Sequence, residues 1–190
     1  PLGPGKIRDV NSYTLTGLVD TYGGEPIRIP PARDTIEDVR RSFTEALSHQ
    51  PDLLLSSAGV SVGSFDVVRT VMEEMGRINF WRVNLRPGKP LAFGMIAGIP
   101  FFGLPGNPVS AMVTFDVFVR PTLLKMSGRE EILPTIEATL RDTLTSDGRR
   151  SYIRVKLSRE DGQFYAEATG TQSSGALMSM VMADGLLIIP

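Results

Sequence analysis

The sequence contains no cysteine and a single histidine, His49. Without cysteine there can be no disulfide, no thiolate nucleophile and no cysteine-based zinc site. One histidine excludes any site that needs two. The sequence also lacks an apolar run of the roughly 18 residues that a membrane-spanning helix needs. We therefore expect a cytoplasmic protein that has no membrane partner.

The sequence also has no marked excess of basic or of acidic residues. The 190 residues include 20 basic and 21 acidic side chains, and the net charge is −1 at pH 7. A general nucleic-acid binder needs a strong positive field, so we expect no nucleic-acid partner. Hydrophobic residues make up 42% of the chain, which is enough to bury a core. The 19 glycines and 14 prolines are clustered, which predicts loops of defined shape.

Residues 1–128 alternate between helical and strand patterns. The run from Asp52 to Ser57 is apolar without alternation, which is typical of a strand buried on both faces of a parallel sheet. Alternating elements predict an α/β domain with a doubly wound, mainly parallel sheet, whose ligands bind where strands end and helices begin. We predict helices at Asn11–Tyr22, Thr35–His49, about Phe65–Met75 and about Val109–Met126, and further strands at Pro26–Ile29, Phe80–Leu85, Leu91–Met95 and Ile99–Leu104.

Residues 129–190 have a different character. Tyr152–Leu157 alternates in polarity, and Asp161-Gly162 is a hairpin signal before Phe164–Ala168. Leu186–Ile189 is another short strand pattern. These patterns predict a small second domain that is β-barrel-like but has too few strands to close, so we expect it to be incomplete.

Three loops of the first zone have features of a ligand site. The first has the sequence SSAGVSVGSFD and spans residues 56–66, between a predicted strand and a helix. Small residues let backbone N–H groups approach an anion, and the helix N-terminus adds a positive dipole. This pattern makes Gly59, Ser61 and Gly63 candidate ligand-binding residues. A tight strand-to-helix turn without a ligand explains it equally well.

The second loop is basic. Arg82 and Arg86 are four residues apart on a predicted strand, so they should share one face. Lys89 follows a turn formed by Pro87 and Gly88. Three cations on a stiff frame suit an oxyanion, and guanidinium groups offer forked donors. A solvated strand end is the alternative interpretation.

The third loop has the sequence LPGNPVS and spans residues 104–110. Its prolines, Pro105 and Pro108, flank Gly106 and Asn107 and fix the backbone just before a helix. Ser110 should lie in the first helical turn. Such rigidity favours a ligand loop over a simple helix start.

Two acids are predicted at the starts of helices, Asp34 and Asp66. Helix capping is the ordinary role of a single aspartate there. Two carboxylates beside oxyanion loops would also suit Mg²⁺, which takes one or two carboxylates together with phosphate oxygens.

Taken together, these motifs resemble the molybdopterin molybdenumtransferase family, the bacterial relatives of the gephyrin E domain. The resemblance implies binding of adenylylated molybdopterin, uptake of molybdate and Mg²⁺-dependent release of AMP, which leaves molybdenum on the dithiolene. It also implies a molybdopterin-binding fold. The matching stretches are GKIRDVNSYTLTGLVDTYGG, DLLLSSAGVSVGSFDVV, FWRVNLRPGKPLAFG, FFGLPGNPVSAMVTFDVFVRPTLLKMSG and SSGALMSMVMADGLLIIP.

The resemblance also implies roles for individual residues. Many family members carry lysine at positions 82 and 86, where arginine keeps the charge but changes the donor geometry. By position, Asp34 and Asp66 match active-site acids; Arg82, Arg86 and Lys89 match basic residues near molybdate and phosphate; Pro105, Pro108 and Ser110 match the rigid ligand loop; Arg154 and Ser174 match polar residues from the C-terminal domain.

Family members carry two further N-terminal domains, which help to form a homodimer and contribute acids to the partner's site. The resemblance therefore implies that these 190 residues are a fragment that lacks the N-terminal domains, the first strand of the molybdopterin-binding α/β domain (residues 1–128) and the last strands of the C-terminal β domain (residues 129–190). Molybdopterin adenylyltransferase and molybdoenzymes are the expected further partners. Two other functions stay open: an adenylyltransferase that uses ATP, and a non-catalytic gephyrin-type scaffold. The LPGNPVSA motif and the appended β zone favour molybdenum insertion.

Overall fold

The computed structural model describes residues 8–57, 65–130, 133–145 and 147–190. Its helices are α1 (Asn11–Thr21), α2 (Ile36–Ser48), α3 (Phe65–Met75), α4 (Pro108–Thr114), α5 (Arg120–Met126) and α6 (Leu177–Val181), with a π-helical turn at Phe115–Val119 between α4 and α5. Its strands are β1 (Leu54–Ser57), β2 (Gly76–Arg82), β3 (Leu85–Arg86), β4 (Pro90–Ile96), β5 (Ile99–Leu104), β6 (Thr139–Leu140), β7 (Arg150–Glu160), β8 (Gln163–Ala168) and β9 (Gly185–Ile189).

The first sheet has the strand order β1-β5-β4-β2. Strand β1 runs parallel to β5, as predicted, whereas β5 with β4 and β4 with β2 are antiparallel. Ala97 and Gly98 alone separate β4 from β5, and both have positive φ. A two-residue turn can only join antiparallel strands, so the described strands form a mixed sheet rather than a mainly parallel one. The α/β class is confirmed.

Helices cover both faces of this sheet, as a doubly wound arrangement requires. Neighbouring residues of a strand point to opposite faces, and β5 shows this clearly. The fully buried Phe101 meets Phe43 of α2 edge to face, with ring centroids 5.5 Å apart. Phe102 instead packs in the cluster that contains Leu15 of α1 and Phe115. The sheet therefore lies between α2 with α3 on one side and α1 with α4 on the other.

The second sheet is centred on the long strand β7. Strands β8 and β9 pair with it antiparallel, and β3 pairs with it in parallel. Strand β6 joins the outer side of β8. Asp161 and Gly162 have φ values of 49° and 85° and form the predicted hairpin turn. Because β3 comes from the first zone of the sequence, it places the loop at residues 86–90 beside the second sheet.

Two local predictions differ from the structure. The predicted strand at Pro26–Ile29 lies in irregular chain, because Pro26, Pro30 and Pro31 provide no backbone N–H for a ladder. The predicted helix at Val109–Met126 is present but widens into the π-helical turn, which ends just before Pro121. Proline cannot donate to the preceding turn, so the regular hydrogen-bond pattern is interrupted there. Among the described residues, no helix is long and apolar enough to cross a membrane.

Candidate anion-binding site

A cleft of about 510 Å³ lies where the two sheets meet. The basic loop and the proline-flanked loop form one side of it, and residues from the start of β7 and from the segment before α6 form the other. Both loops had been predicted as ligand loops from the sequence. The cleft is lined by Arg86, Pro87, Gly88, Lys89, Pro90, Pro105, Gly106, Asn107, Ser110, Arg149, Tyr152, Ile153, Arg154, Gln172, Ser173 and Ser174.

The proline-flanked loop is fixed from both sides. The Asn107 amide nitrogen donates to the Ser174 hydroxyl oxygen at 2.8 Å, and the backbone N–H of Val109 donates to the Ser174 carbonyl at 3.2 Å. On its other side, the buried Asn11 amide nitrogen donates to the carbonyl oxygen of Gly106 at 2.8 Å. Hydrogen bonds from two distant parts of the chain therefore hold the backbone of this loop in place.

The basic loop packs closely against the helical element that follows the proline-flanked loop. Gly88 has a φ of +118°, and a Cβ atom there would lie 2.4 Å from Cγ2 of the buried Thr114. Only glycine fits this position without strain. The carbonyl of Lys89 also accepts a hydrogen bond of 3.1 Å from the N–H of Val83. These contacts fix the backbone of Lys89 while its side chain stays exposed at the cleft.

An ion cluster lies at the mouth of the cleft. The Asp147 carboxylate is 3.2 Å from Nη1 of Arg86 and accepts hydrogen bonds from Nε and Nη2 of Arg149. The side-chain hydrogen bond from Arg149 is the largest influence on this carboxylate, and together with the nearby positive charges it lowers the pKa of Asp147 to about 2. Asp147 is therefore charged at neutral pH.

Arg154 is only 1% exposed, although it carries a charge. Its guanidinium donates to the Ser179 hydroxyl at 2.8 Å and to the carbonyls of Thr171 and Ser173, both at 3.2 Å. Burial lowers the pKa of Arg154, but an arginine retains its proton in a protein. Within the described part of the chain no carboxylate pairs with it. Arg154 thus brings a buried positive charge to the cleft and orders the segment before α6.

The lining residues give the cleft a strongly asymmetric charge. Four of them, Arg86, Lys89, Arg149 and Arg154, are cationic, and none of the described lining residues is acidic. A concave surface lined by one sign of charge concentrates ligands of the opposite sign. The arrangement suits a small molecule with more than one negative group.

Other predicted site residues lie elsewhere. Arg82 ends β2 opposite Pro90 and does not line the cleft. The prediction that it lies on one strand with Arg86 is wrong, because Val83 and Asn84 separate β2 from β3. Asp34 is exposed and does not line the cleft. It does not cap α2 either: Thr35 is the N-cap, and its hydroxyl accepts from the N–H of Asp38.

The first predicted ligand loop, at residues 56–66, falls mostly outside the described residues. Gly59, Ser61 and Gly63 lie outside the described residues, and so does the side chain of Asp66, whose backbone belongs to α3. Within the described ranges, no group of three or more acidic or histidine side chains could hold a metal ion. A magnesium site formed by Asp34 and Asp66 stays a prediction.

Some residues of the site were missed in the sequence. Arg149 directly follows Gly148, just before a predicted strand, much as Lys89 follows Gly88. This similarity to the basic loop could have marked Arg149 as a candidate site residue. Gln172 both accepts from and donates to the backbone of Arg154, at 3.0 and 3.1 Å. The hydrogen bond from Asn11 to Gly106 gave no sequence signal, because the two residues are 95 positions apart.

Comparison with known proteins identifies relatives along the whole chain. The family model described as "Probable molybdopterin binding domain" matches residues 2–125, and the model "MoeA C-terminal region (domain IV)" matches residues 137–190. Among curated proteins, the chain is 36% identical over 198 residues to a molybdopterin molybdenumtransferase from Nostoc sp., and 36% identical over 193 residues to the molybdenum cofactor synthesis protein cinnamon from Drosophila melanogaster. These alignments cover all of this chain but 45% and 32% of the two relatives.

The structural comparison agrees. A crystal structure of the molybdopterin biosynthesis MoeA protein from Pyrococcus horikosii superimposes with a TM-score of 0.83 and 34% sequence identity. The match covers 100% of this chain and 46% of that protein. The chain therefore spans between 32% and 46% of the length of these relatives.

Proposed function

The chain belongs to the molybdopterin molybdenumtransferase family, and we propose that it provides the anion-binding cleft of an enzyme that inserts molybdate into adenylylated molybdopterin and releases AMP. This reaction is a step of molybdenum cofactor biosynthesis. The substrates are a molecule that contains a phosphoanhydride and a tetrahedral dianion, so both are negatively charged.

The observation that carries this proposal is the charge of the cleft. Four cationic side chains line it without any acidic one among the described residues. Its volume of about 510 Å³ is within the usual range for small-molecule sites. The guanidinium groups of Arg86 and Arg149 offer forked donors for an oxyanion, and Lys89 acts as a compact positive charge. Asn107, Ser110 and Ser174 add neutral polar groups that could orient the ligand.

The chemistry explains why fixed cations matter. When an oxygen nucleophile, either water or a molybdate oxygen, attacks the phosphoanhydride, a new P–O bond forms and the bridging P–O bond breaks. AMP and the pterin phosphate then separate, and negative charge increases on the oxygen that leaves. Preorganised donors that face this charge lower the barrier, because they need no reorganisation at the moment of reaction. The loops at residues 86–90 and 105–110 are rigid in this sense, since Gly88, Asn11 and Ser174 hold them.

The complete active form goes beyond this chain. We propose a cytoplasmic homodimer in which the family's N-terminal domains complete the site and provide further acids. Asp34 and Asp66 are the candidate acids of this chain. Mg²⁺ is the expected ion of the family, and within the described residues no group of three or more acidic or histidine side chains could hold it.

Molybdenum insertion is favoured over adenylylation by the origin of the lining residues. Arg149, Arg154 and Ser174 come from the segment that matches the MoeA C-terminal region. An adenylyltransferase would share the first sheet but not these groups. In a gephyrin-type scaffold, nothing would require a cationic cleft.

The test is turnover by the longest natural form of the protein, with adenylylated molybdopterin and molybdate as substrates. AMP release and activation of a cofactor-free molybdoenzyme are measured together. Lys89→Ala should lower turnover by about 100-fold, because it removes an exposed cation from the cleft. Lys125→Ala, which removes the same charge from α5, is the matched control and should change turnover less than about twofold.

A Lys89→Ala enzyme as active as the unmodified protein would contradict the proposal. Product formed only in the presence of ATP and non-adenylylated molybdopterin would instead support an adenylyltransferase. If the protein had neither activity and did not bind anions, the results would support the scaffold function.

A further inference from the structure

The Asp147 carboxylate sits between two arginines that both line the cleft. Its Oδ2 is 3.2 Å from Nη1 of Arg86 and 3.1 Å from Nε of Arg149, and its Oδ1 is 3.2 Å from the same Nε. The backbone N–H of Arg149 also donates to Oδ1 at 3.3 Å. One carboxylate thus accepts hydrogen bonds from two guanidinium groups that are 63 residues apart in the sequence.

This geometry is that of an oxyanion site already holding an anion. Guanidinium groups bind carboxylates and tetrahedral oxyanions with the same forked donors. Asp147 is not itself a lining residue of the cleft, but the two arginines are. The carboxylate therefore occupies donors that a ligand in the cleft could use.

A backbone ladder also holds this part of the chain together, independently of the ion pairs. Strand β3 pairs with β7 through the backbone, with Leu85 opposite Arg150 and Arg86 opposite Ser151. That ladder already fixes Arg86 beside the segment that carries Asp147 and Arg149. The side chains of the cluster are also accessible, with 48% exposure for Arg86, 36% for Asp147 and 33% for Arg149. Ion pairs with such exposure are weak and exchange easily.

Electrostatics favours exchange for a ligand of higher charge. Asp147 carries one negative charge, whereas molybdate and a phosphate monoester carry about two near neutral pH. Lys89, on the neighbouring turn, has no acidic partner within the described residues. The cluster therefore keeps an excess of positive charge even with Asp147 in place. Asp147 is charged at neutral pH, as any aspartate is, and the arginines lower its pKa further, so it competes under ordinary conditions.

We propose that Arg86 and Arg149 form an oxyanion subsite at the mouth of the cleft, which Asp147 fills in the absence of ligand and leaves when a tetrahedral oxyanion binds. This inference deepens the proposed function, on which it rests for the class of ligand. It makes Arg149 a ligand-binding residue and Asp147 a residue that sets how tightly anions bind.

The decisive experiment is calorimetric titration of Asp147→Asn with sodium molybdate, inorganic phosphate and AMP in separate arms, at pH 7 and low salt. Asparagine keeps the shape of the side chain but removes the competing charge. At least one of the anions should bind about 3- to 10-fold more tightly than to the unmodified chain. Asp161→Asn is the matched control: it removes the same charge in the β7–β8 turn, whose backbone accepts asparagine, and should leave affinity unchanged.

The three titrations identify which chemical group binds in the subsite. Tighter binding of molybdate assigns it to the metal oxyanion, and tighter binding of AMP or phosphate assigns it to a phosphoryl group. Arg149→Gln should weaken the same anion by about 10-fold. Unchanged affinity in both Asp147→Asn and Arg149→Gln would overturn the proposal and leave the cluster a structural ion pair.

A measurement on the unmodified chain covers the case in which a variant folds poorly. The Nε–H signals of Arg86 and Arg149 are followed by NMR as the same anion is added. Both signals should shift together, with the Arg149 signal losing the character of a carboxylate hydrogen bond. Signals that stay constant while the anion binds would also overturn the proposal. If no anion binds the unmodified chain at all, the proposed function of the cleft fails; anion binding that is indifferent to Asp147 defeats this inference alone.

Discussion

The amide of Asn107 donates a 2.8 Å hydrogen bond to the hydroxyl of Ser174, which joins the loop after β5 to the segment before α6. Both residues line the cleft, and they come from the two different zones of the sequence. The backbone of Ser174 separately accepts from Val109, so the side-chain bond can be removed without breaking the connection.

Ser174→Ala should therefore weaken anion binding more than it weakens the fold. We expect affinity for AMP or molybdate to fall by about 5-fold, and the free energy of unfolding to fall by about 1 kcal/mol or less. Calorimetry and urea denaturation check the two values. Ser158→Ala, on the exposed part of β7, is the control. A large loss of stability with unchanged affinity would mean that Ser174 serves folding alone.

Asn11 holds the proline-flanked loop through its hydrogen bond to the Gly106 carbonyl. Asn11→Ala should destabilise the chain by about 1 to 2 kcal/mol. Asn11→Asp should cost more, about 2 to 4 kcal/mol, because it places a buried charge next to a carbonyl oxygen. Urea unfolding of the three proteins compares them directly. An Asn11→Asp variant as stable as the unmodified chain would contradict this role.

The close contact between Gly88 and Thr114 predicts a substitution and its partial rescue. Gly88→Ala should destabilise the chain by about 2 to 3 kcal/mol, from steric overlap and from a φ of +118°. Adding Thr114→Ser removes the methyl group that the new Cβ would meet, and should restore about 1 kcal/mol. The backbone strain would persist. If the second substitution gives no recovery, the overlap is not the cause.

The ion cluster predicts a dependence of stability on pH in the acid range. The folded pKa of Asp147 is lowered from 3.8 to about 2 by Arg149 and Arg86, so the folded state favours the charged form. The stabilising effect is complete above the unfolded value and is lost as the pH falls towards about 2. Asp147→Asn should therefore differ from the unmodified chain in Tm above pH 4 and converge with it near pH 2. The difference should be small, because the group is exposed to solvent. A gap that widens on acidification would contradict this sign.

The elements that the sequence predicted well have strong local patterns. Val39 and Phe43 mark the inner face of α2 by their spacing, and β5 has the predicted bounds. The antiparallel pairing of β4 with β5 depends on a two-residue turn in which Ala97 adopts a positive φ. Alanine is not typical of that conformation, so the sequence does not indicate the turn. Strand β6 has two residues and α6 has five, too few for any periodicity to appear.

Local patterns could predict the site only where its residues are close in sequence, whereas Arg154 and Ser174, which also line the cleft, were predicted only through the family resemblance. Lys89 and Asn107 stand in short glycine- and proline-rich loops, and the structure brings both to one cleft. Arg149 was missed because it reaches the cleft through the pairing of β7 with β3, a contact between distant segments. Arg82 was misplaced for a related reason: the end of β2 at this residue is set by tertiary pairing, not by local composition.

The most direct test of the central claim is the location of bound molybdate. Crystals of the chain grown with sodium molybdate would show the metal by anomalous diffraction at the molybdenum edge. The account predicts a peak inside the cleft, between Lys89 and Asn107 and within reach of an arginine that lines it. A peak confined to another surface, with the cleft empty at saturating molybdate, would contradict it.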